Sequence, residues 1–160
     1  MQEVFVNMGQ IRVLQTSGIL TTVGLGSCVG VTLHDPVAKV GAMAHVFLAK
    51  SRPERDPNAL PGKYADTAIP ALISQAIAKG ARQERLVAKL AGGANLFANL
   101  ATNNLSIGAQ NIEAVIQQLN LFKIPIIGKD VAGNHGRKMR LFIESGIVVV
   151  TTAGQESIEI

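Results

Sequence analysis

The sequence predicts a mixed α+β (α/β) fold in which helices cover sheet, organised as one domain over residues 1–160. Three observations carry that prediction. Short apolar runs of strand length, punctuated by glycine and Asp-Pro, fill the first third of the chain. Two longer stretches place apolar residues at helical spacing. No long linker, repeat or low-complexity tract divides the chain, and 160 residues suffice to bury a substantial core.

In order along the chain, residues 4–8, 11–15, 29–33 and 40–48 read as strands. Residues 50–63, KSRPERDPNALPGK, contain three prolines and mixed charge and read as a loop, of a length that often carries function. A helix follows, with Ile69, Leu72, Ile73, Ala76 and Ile77 on one stripe and Gly80 as its stop. Asp66 is its candidate N-cap, although Pro70 then falls uncomfortably late in the first turn. Residues 85–91 read as a buried strand ending at Gly92-Gly93. A second helix runs from residue 110 with Ile112, Val115, Ile116 and Leu119 on its stripe. Strands at 124–127, 139–144 and 147–152 complete the chain, the last two joined around Ser145-Gly146.

Composition narrows the function. Hydrophobic residues make up 48% and charged residues 16%, which excludes a disordered or fibrous chain. No apolar run approaches the roughly 20 residues that span a bilayer, and Glu3 stands where a signal peptide carries positive charge, so no membrane insertion is expected. The single cysteine allows no intrachain disulfide, and an unpaired thiol fits a reducing cytoplasm. The net charge of +4 comes from scattered residues, without tryptophan or a basic run interleaved with aromatics, so no nucleic acid is expected.

The cysteine lies in GLGSCVG, ahead of a predicted hairpin. Asp35-Pro36-Val37-Ala38 suits a loop between two strands. Symmetric closure, with His34 opposite Lys39, pairs Leu33 with Val40, Val31 with Ala42 and Val29 with Ala44 as one apolar face. On the other face Gly30 meets Met43, and Cys28 meets His45. A thiol beside an imidazole is the pairing of a cysteine hydrolase, because the ring can take the thiol proton and later hand it to a leaving amine. The amides around Gly26, Ser27 and Cys28 are candidate oxyanion donors, and Thr22 offers oxygens that could orient the ring's second nitrogen. Each residue also has a plain packing role: a buried small thiol, a satisfied strand histidine, a strand threonine. A register slip of one residue would separate the pair.

No metal is expected. Cys28 and His45 are two ligands at most, His34 lies roughly 20 Å along the strand, and His135 in a distant loop fits no ligand spacing. GLGSCVG does not fit GxGxxG, and the stretch around Gly92-Gly93 lacks the Lys-Ser/Thr of a phosphate loop, so no cofactor is expected. The loop holding Asn134, Gly136 and Arg137 could meet an anion or a partner's acid, or simply be solvated.

LGSCV, then GAMAHVFL with its histidine seventeen residues after the cysteine, then GKYADTA, AKLAGGAN, IGAQNIEAV and GNHGR occur in that order. In this combination, over about residues 3–153, the chain resembles the CheD family of chemoreceptor glutamine deamidases. The resemblance implies a cysteine hydrolase that converts glutamines of methyl-accepting chemotaxis receptors to glutamates through a thioester and releases ammonia. It implies Cys28 as nucleophile, His45 as general base and acid, and Thr22 as third member of the site. It also implies a sandwich of β-sheet with helices on its outer faces, similar to toxin-type cysteine deamidases, and a CheC-like phosphatase as a probable second partner. The alternative it leaves is a binding module that regulates such a phosphatase, with catalysis secondary. Tyr64, Asn134 and Arg137 are the candidates for contact with substrate or partner. Two departures, Asn95-Leu96 after Gly92-Gly93-Ala94 and Ala132 before Gly133-Asn134, leave the three catalytic candidates untouched.

Overall fold

The computed structural model describes residues 1–96 and 106–160. Among the described residues ten strands and two α-helices follow in order: β1 Glu3–Phe5, β2 Ile11–Gln15, β3 Ile19–Leu25, β4 Val29–Asp35, β5 Val40–Val46, α1 Ala65–Ala78, β6 Val87–Gly92, α2 Ile107–Leu121, β7 Ile126–Val131, β8 Arg137–Phe142, β9 Val148–Thr152 and β10 Ile158–Glu159. The strands form two five-stranded sheets, ordered β1-β3-β8-β9-β10 and β2-β5-β4-β6-β7. The expected mixed α+β sandwich is the architecture found. Both helices lie on the same side of the second sheet, so the layers run sheet, sheet, helices.

That layering explains why every residue of β4 and β5 is buried. Alternate side chains serve different cores. Val29, Val31 and Leu33 of β4, with Ala42, Ala44 and Val46 of β5, meet Ile69, Leu72 and Ile73 of α1 and Val115 and Leu119 of α2. The opposite face meets Leu20, Leu25, Met139 and Leu141 of the first sheet, and Cys28 belongs to this inter-sheet core.

The hairpin register differs from the symmetric one by two residues. Val29 faces Val46, Gly30 faces His45, Val31 faces Ala44 and Leu33 faces Ala42. The cause is Asp35. Its Oδ1 accepts the N–H groups of Val37 and Ala38 at 2.9 and 3.0 Å, so the four-residue loop begins after Asp35 and ends with Lys39 at φ 52°. A slip of two keeps every side chain on its predicted face, so Cys28 and His45 still share one.

Other elements depart from expectation for local reasons. Residues 19–25, not expected as a separate strand, form β3, which carries Thr22 between β1 and β8. Asp66 does not cap α1: Tyr64 holds that position, and the Asp66 carboxylate accepts both the backbone N–H and the hydroxyl of Ser51. Ser106 caps α2 through the N–H of Ala109, which starts the helix before residue 110. No helix among the described residues is long and apolar enough to cross a membrane.

Candidate active site

Three glycine-bearing stretches, far apart in sequence, meet where β3 gives way to β4. The ladder between β3 and β8 breaks between Thr22 and Leu25, and the chain then bends through Gly26, Ser27 and Cys28. Gly26 O accepts the N–H of Ala94 and Cys28 O accepts the N–H of Gly93, each at 2.8 Å. Gly133 O in turn accepts the N–H of Asn95 at 2.8 Å, bringing in the loop of GNHGR. Close approach demands glycine at Gly92: its φ is +104°, and a Cβ there would lie 2.3 Å from Cys28 O.

Thr22 is fully buried on β3 and fixes the histidine. Its hydroxyl lies 2.7 Å from Val6 O and 2.7 Å from His45 Nδ1. A carbonyl can only accept, so the hydroxyl donates to Val6 and must accept from Nδ1–H. The tautomer follows: His45 carries its proton on Nδ1 and presents an unprotonated Nε2. That Nε2 is buried and has no hydrogen-bond partner among the described residues. Gly30 makes the approach of β3 possible, because a Cβ opposite His45 would fall 2.7 Å from Met139 Sδ and 3.4 Å from Thr22 Cγ2.

Cys28 directly precedes β4, two residues before Gly30, which faces His45, and it belongs to the inter-sheet core. Burial pushes the thiol up from its ordinary pKa, and its own backbone N–H works more weakly the other way. Burial also pushes His45 down, against a smaller opposing effect from Val6. The resting pair is therefore a neutral thiol and a neutral imidazole.

Asn111 was not among the expected residues. It lies on α2, fully buried, and its Nδ2 donates to Ser27 O and to Phe47 O, both at 2.9 Å. One amide thus joins the turn before Cys28 to the chain leaving His45. Two carbonyl partners fix the amide's orientation, since its oxygen could not accept from either. The Oδ1 is left buried and without a partner among the described residues. That costs roughly 1–3 kcal/mol, against about 0.5–1.5 kcal/mol gained from each N–H···O bond, so stability alone scarcely accounts for the residue. A buried polar residue beside Ile112 on the helix stripe was the available signal.

The contact candidates lie elsewhere or are otherwise engaged. Tyr64 is 5% exposed and its hydroxyl donates to Asp56, which Lys63 also binds, so it is an interior anchor of the loop before α1. Arg137 is mostly buried: Nε donates to Asp130 at 3.1 Å and Nη1 to Gly92 O at 3.3 Å, tying β8 to β6 and β7. Asn134 is exposed and lines a small cavity of about 110 Å³ with His135, Thr152 and Glu156. No group of three His, Cys, Asp or Glu among the described residues could hold a metal ion.

A family described as CheD chemotactic sensory transduction matches residues 47–152. A chemoreceptor glutamine deamidase CheD of Thermotoga maritima is 45% identical, over 97% of this chain and 96% of its own length. A probable chemoreceptor glutamine deamidase CheD of Symbiobacterium thermophilum is 43% identical, over 94% of this chain and 92% of its own. Among solved structures, the Bacillus licheniformis hypothetical protein YfiH gives a TM-score of 0.48 at 17% identity, covering 72% of this chain and 48% of its own, a likeness too slight to carry weight.

Proposed function

The chain belongs to the CheD family, and from that premise we propose that it deamidates glutamine side chains of chemotaxis receptors with Cys28 as nucleophile. The observation that supports this best is the state of His45. Thr22 holds its Nδ1–H, and Nε2 is left unprotonated, buried and unpartnered among the described residues, between the sheets where the cysteine also lies.

The reaction then runs in two halves. His45 Nε2 takes the thiol proton as Cys28 Sγ attacks the glutamine carboxamide carbon, and the carbonyl oxygen gathers negative charge. Gly26 N–H is already engaged by Gly24 O at 3.0 Å, so the amides of Ser27 and Cys28 donate to that oxygen, an interaction worth about 3–4 kcal/mol per donor in well-formed sites. The ring returns the proton to the departing nitrogen, ammonia leaves, and a thioester remains. His45 then deprotonates a water, which attacks the thioester, releases glutamate and restores the thiol. Glutamine and water enter; glutamate and ammonia leave.

The peptide orientation supports the oxyanion assignment. Gly26 O and Ser27 O are turned toward Ala94 N and Asn111 Nδ2. In a trans peptide the following N–H points the opposite way, so Ser27 N–H and Cys28 N–H are directed away from those partners. The single unpaired thiol supports a cytoplasmic site of action. A CheC-type phosphatase as second partner is supported by the family resemblance alone.

Peptide mass spectrometry of a receptor cytoplasmic fragment, incubated with wild type, Cys28→Ala and His45→Ala, tests the reading. A Gln-to-Glu mass change confined to the wild type is expected. Equal conversion by Cys28→Ala would end the cysteine mechanism. No conversion by folded wild type would favour the phosphatase-regulator alternative.

A further inference from the structure

We propose that Asn111 is a positioning residue for the reaction, orienting and polarising the Ser27–Cys28 peptide that presents the oxyanion donor. The inference rests on the proposed role of Cys28. Three observations carry it. Asn111 Nδ2 donates to Ser27 O at 2.9 Å, and the same peptide unit ends in Cys28 N–H. The second donation, to Phe47 O at 2.9 Å, fastens this peptide to the chain two residues beyond His45. The side chain is fully buried, and its own acceptor Oδ1 goes unpartnered to make the arrangement.

The physics has two parts. A peptide rotates as a plane, so holding its carbonyl fixes the direction of its N–H. A donor on the carbonyl also draws electron density from the amide and strengthens the N–H as a donor, the cooperative effect of linked hydrogen bonds. Asn111 therefore acts twice on one group without touching substrate. The Cys28 N–H also works against the burial that raises the thiol's pKa, so weakening this N–H raises it further. A residue serving only the fold would have no such effect on the thiol.

Substitution separates these roles. Asn111→Ala removes the donor. Asn111→Asp keeps the shape but places a carboxylate against two carbonyl oxygens. Both are compared with wild type and Cys28→Ala by initial rates on a receptor fragment, thermal melting, and the pH dependence of iodoacetamide alkylation of Cys28. The expected result is that both variants melt above the assay temperature and keep KM within about twofold. Their kcat falls about 10²-fold, the scale of losing one oxyanion donor. The alkylation midpoint moves to higher pH, further for Asn111→Asp. Unchanged kcat and midpoint would overturn the proposal, as would both variants being unfolded in the assay, which would make Asn111 a residue of the fold. Retained turnover by Cys28→Ala would instead remove the cysteine reading and this proposal with it.

Discussion

His34 and His45 occupy matching places in one hairpin, and each is held by a single ring nitrogen. Both are buried, at 6% and 4% exposure, both point between the sheets, and each faces a glycine across the ladder, His34 against Gly41 and His45 against Gly30. His34 donates from Nε2 to Ile143 O at 2.8 Å, a bond that ties the hairpin to the end of β8. His45 is held through Nδ1 by a hydroxyl that is itself committed to Val6, and its Nε2 is left without a partner. Burial and a glycine opposite are thus requirements of packing an imidazole between sheets. Each tautomer is fixed by its bond, and what singles out His45 is that its other nitrogen, Nε2, is buried and unpartnered among the described residues.

The hairpin's two ends differ in the same sense. At the loop end, Asp35 accepts from Val37, Ala38 and Arg82 backbone N–H groups and from Arg85. Its burial favours the neutral acid, but Arg85 and the three backbone N–H groups outweigh this and hold the carboxyl well below the usual range. At the cysteine end, polar atoms are left open on His45 and Asn111. One end is satisfied and serves stability; the other is unsatisfied and available for chemistry.

Breaking this contrast should give effects in a definite order. His45→Gln is expected to lower deamidation about 10³-fold or more while the protein still melts cooperatively, as read by receptor-fragment mass spectrometry and calorimetry. Asp35→Ala should cost about 3 kcal/mol, the lower end for breaking a buried ion pair because Arg85 keeps access to water. Calorimetry should register this as a fall in Tm, with kcat unchanged below the melt.

Thr22→Val should lower kcat roughly 10- to 100-fold and leave His45 free to take either tautomer. It also sharpens the pH argument. His45 is pushed below its ordinary 6.5 by burial, so between that value and its lower folded pKa the unfolded chain binds more protons. Its contribution to stability is therefore present above about pH 6.5 and is lost as pH falls through the folded pKa. Cys28 runs the other way: its raised pKa gives stability present below the ordinary 9.0 and lost as pH rises through the folded value. Wild-type activity should share the acid limb, below pH 6.5, and Thr22→Val should displace that limb. The smallest effect belongs to His34→Gln, expected to cost about 1 kcal/mol by chemical denaturation and to leave the pH–rate profile in place.

Much of this was legible in the sequence. Strict alternation over Val29, Val31 and Leu33 put Cys28 and His45 on one face, and that survived because a two-residue change of register preserves facing. The register itself was hidden in the side chain of Asp35, whose bonds to Val37 and Ala38 move the loop by one position. Strand β3 was obscured by Thr21 and Thr22, both fully buried, and by Gly24, which interrupt the apolar run that marks the other strands, although Thr22 itself suits a strand. Arg137 and Tyr64 look like surface residues in sequence, yet Asp130, Gly92 O and Asp56 hold them inside. Asn111 gave only the weak signal of a polar residue beside the helix stripe: its partners are two carbonyl oxygens, which leave no trace in residue identity.

The depth of Cys28 bears on how the protein survives oxidants. Peroxide reacts with thiolates, and the first product, a sulfenic acid, is normally rescued by a second cysteine. This chain has no second cysteine. A thiol 5% exposed, with its pKa pushed up by burial, offers peroxide almost no thiolate between turnovers. In the proposed mechanism the anion arises only when a bound carboxamide gives it a carbon to attack, which would arm the sulfur by its substrate and leave it shielded the rest of the time.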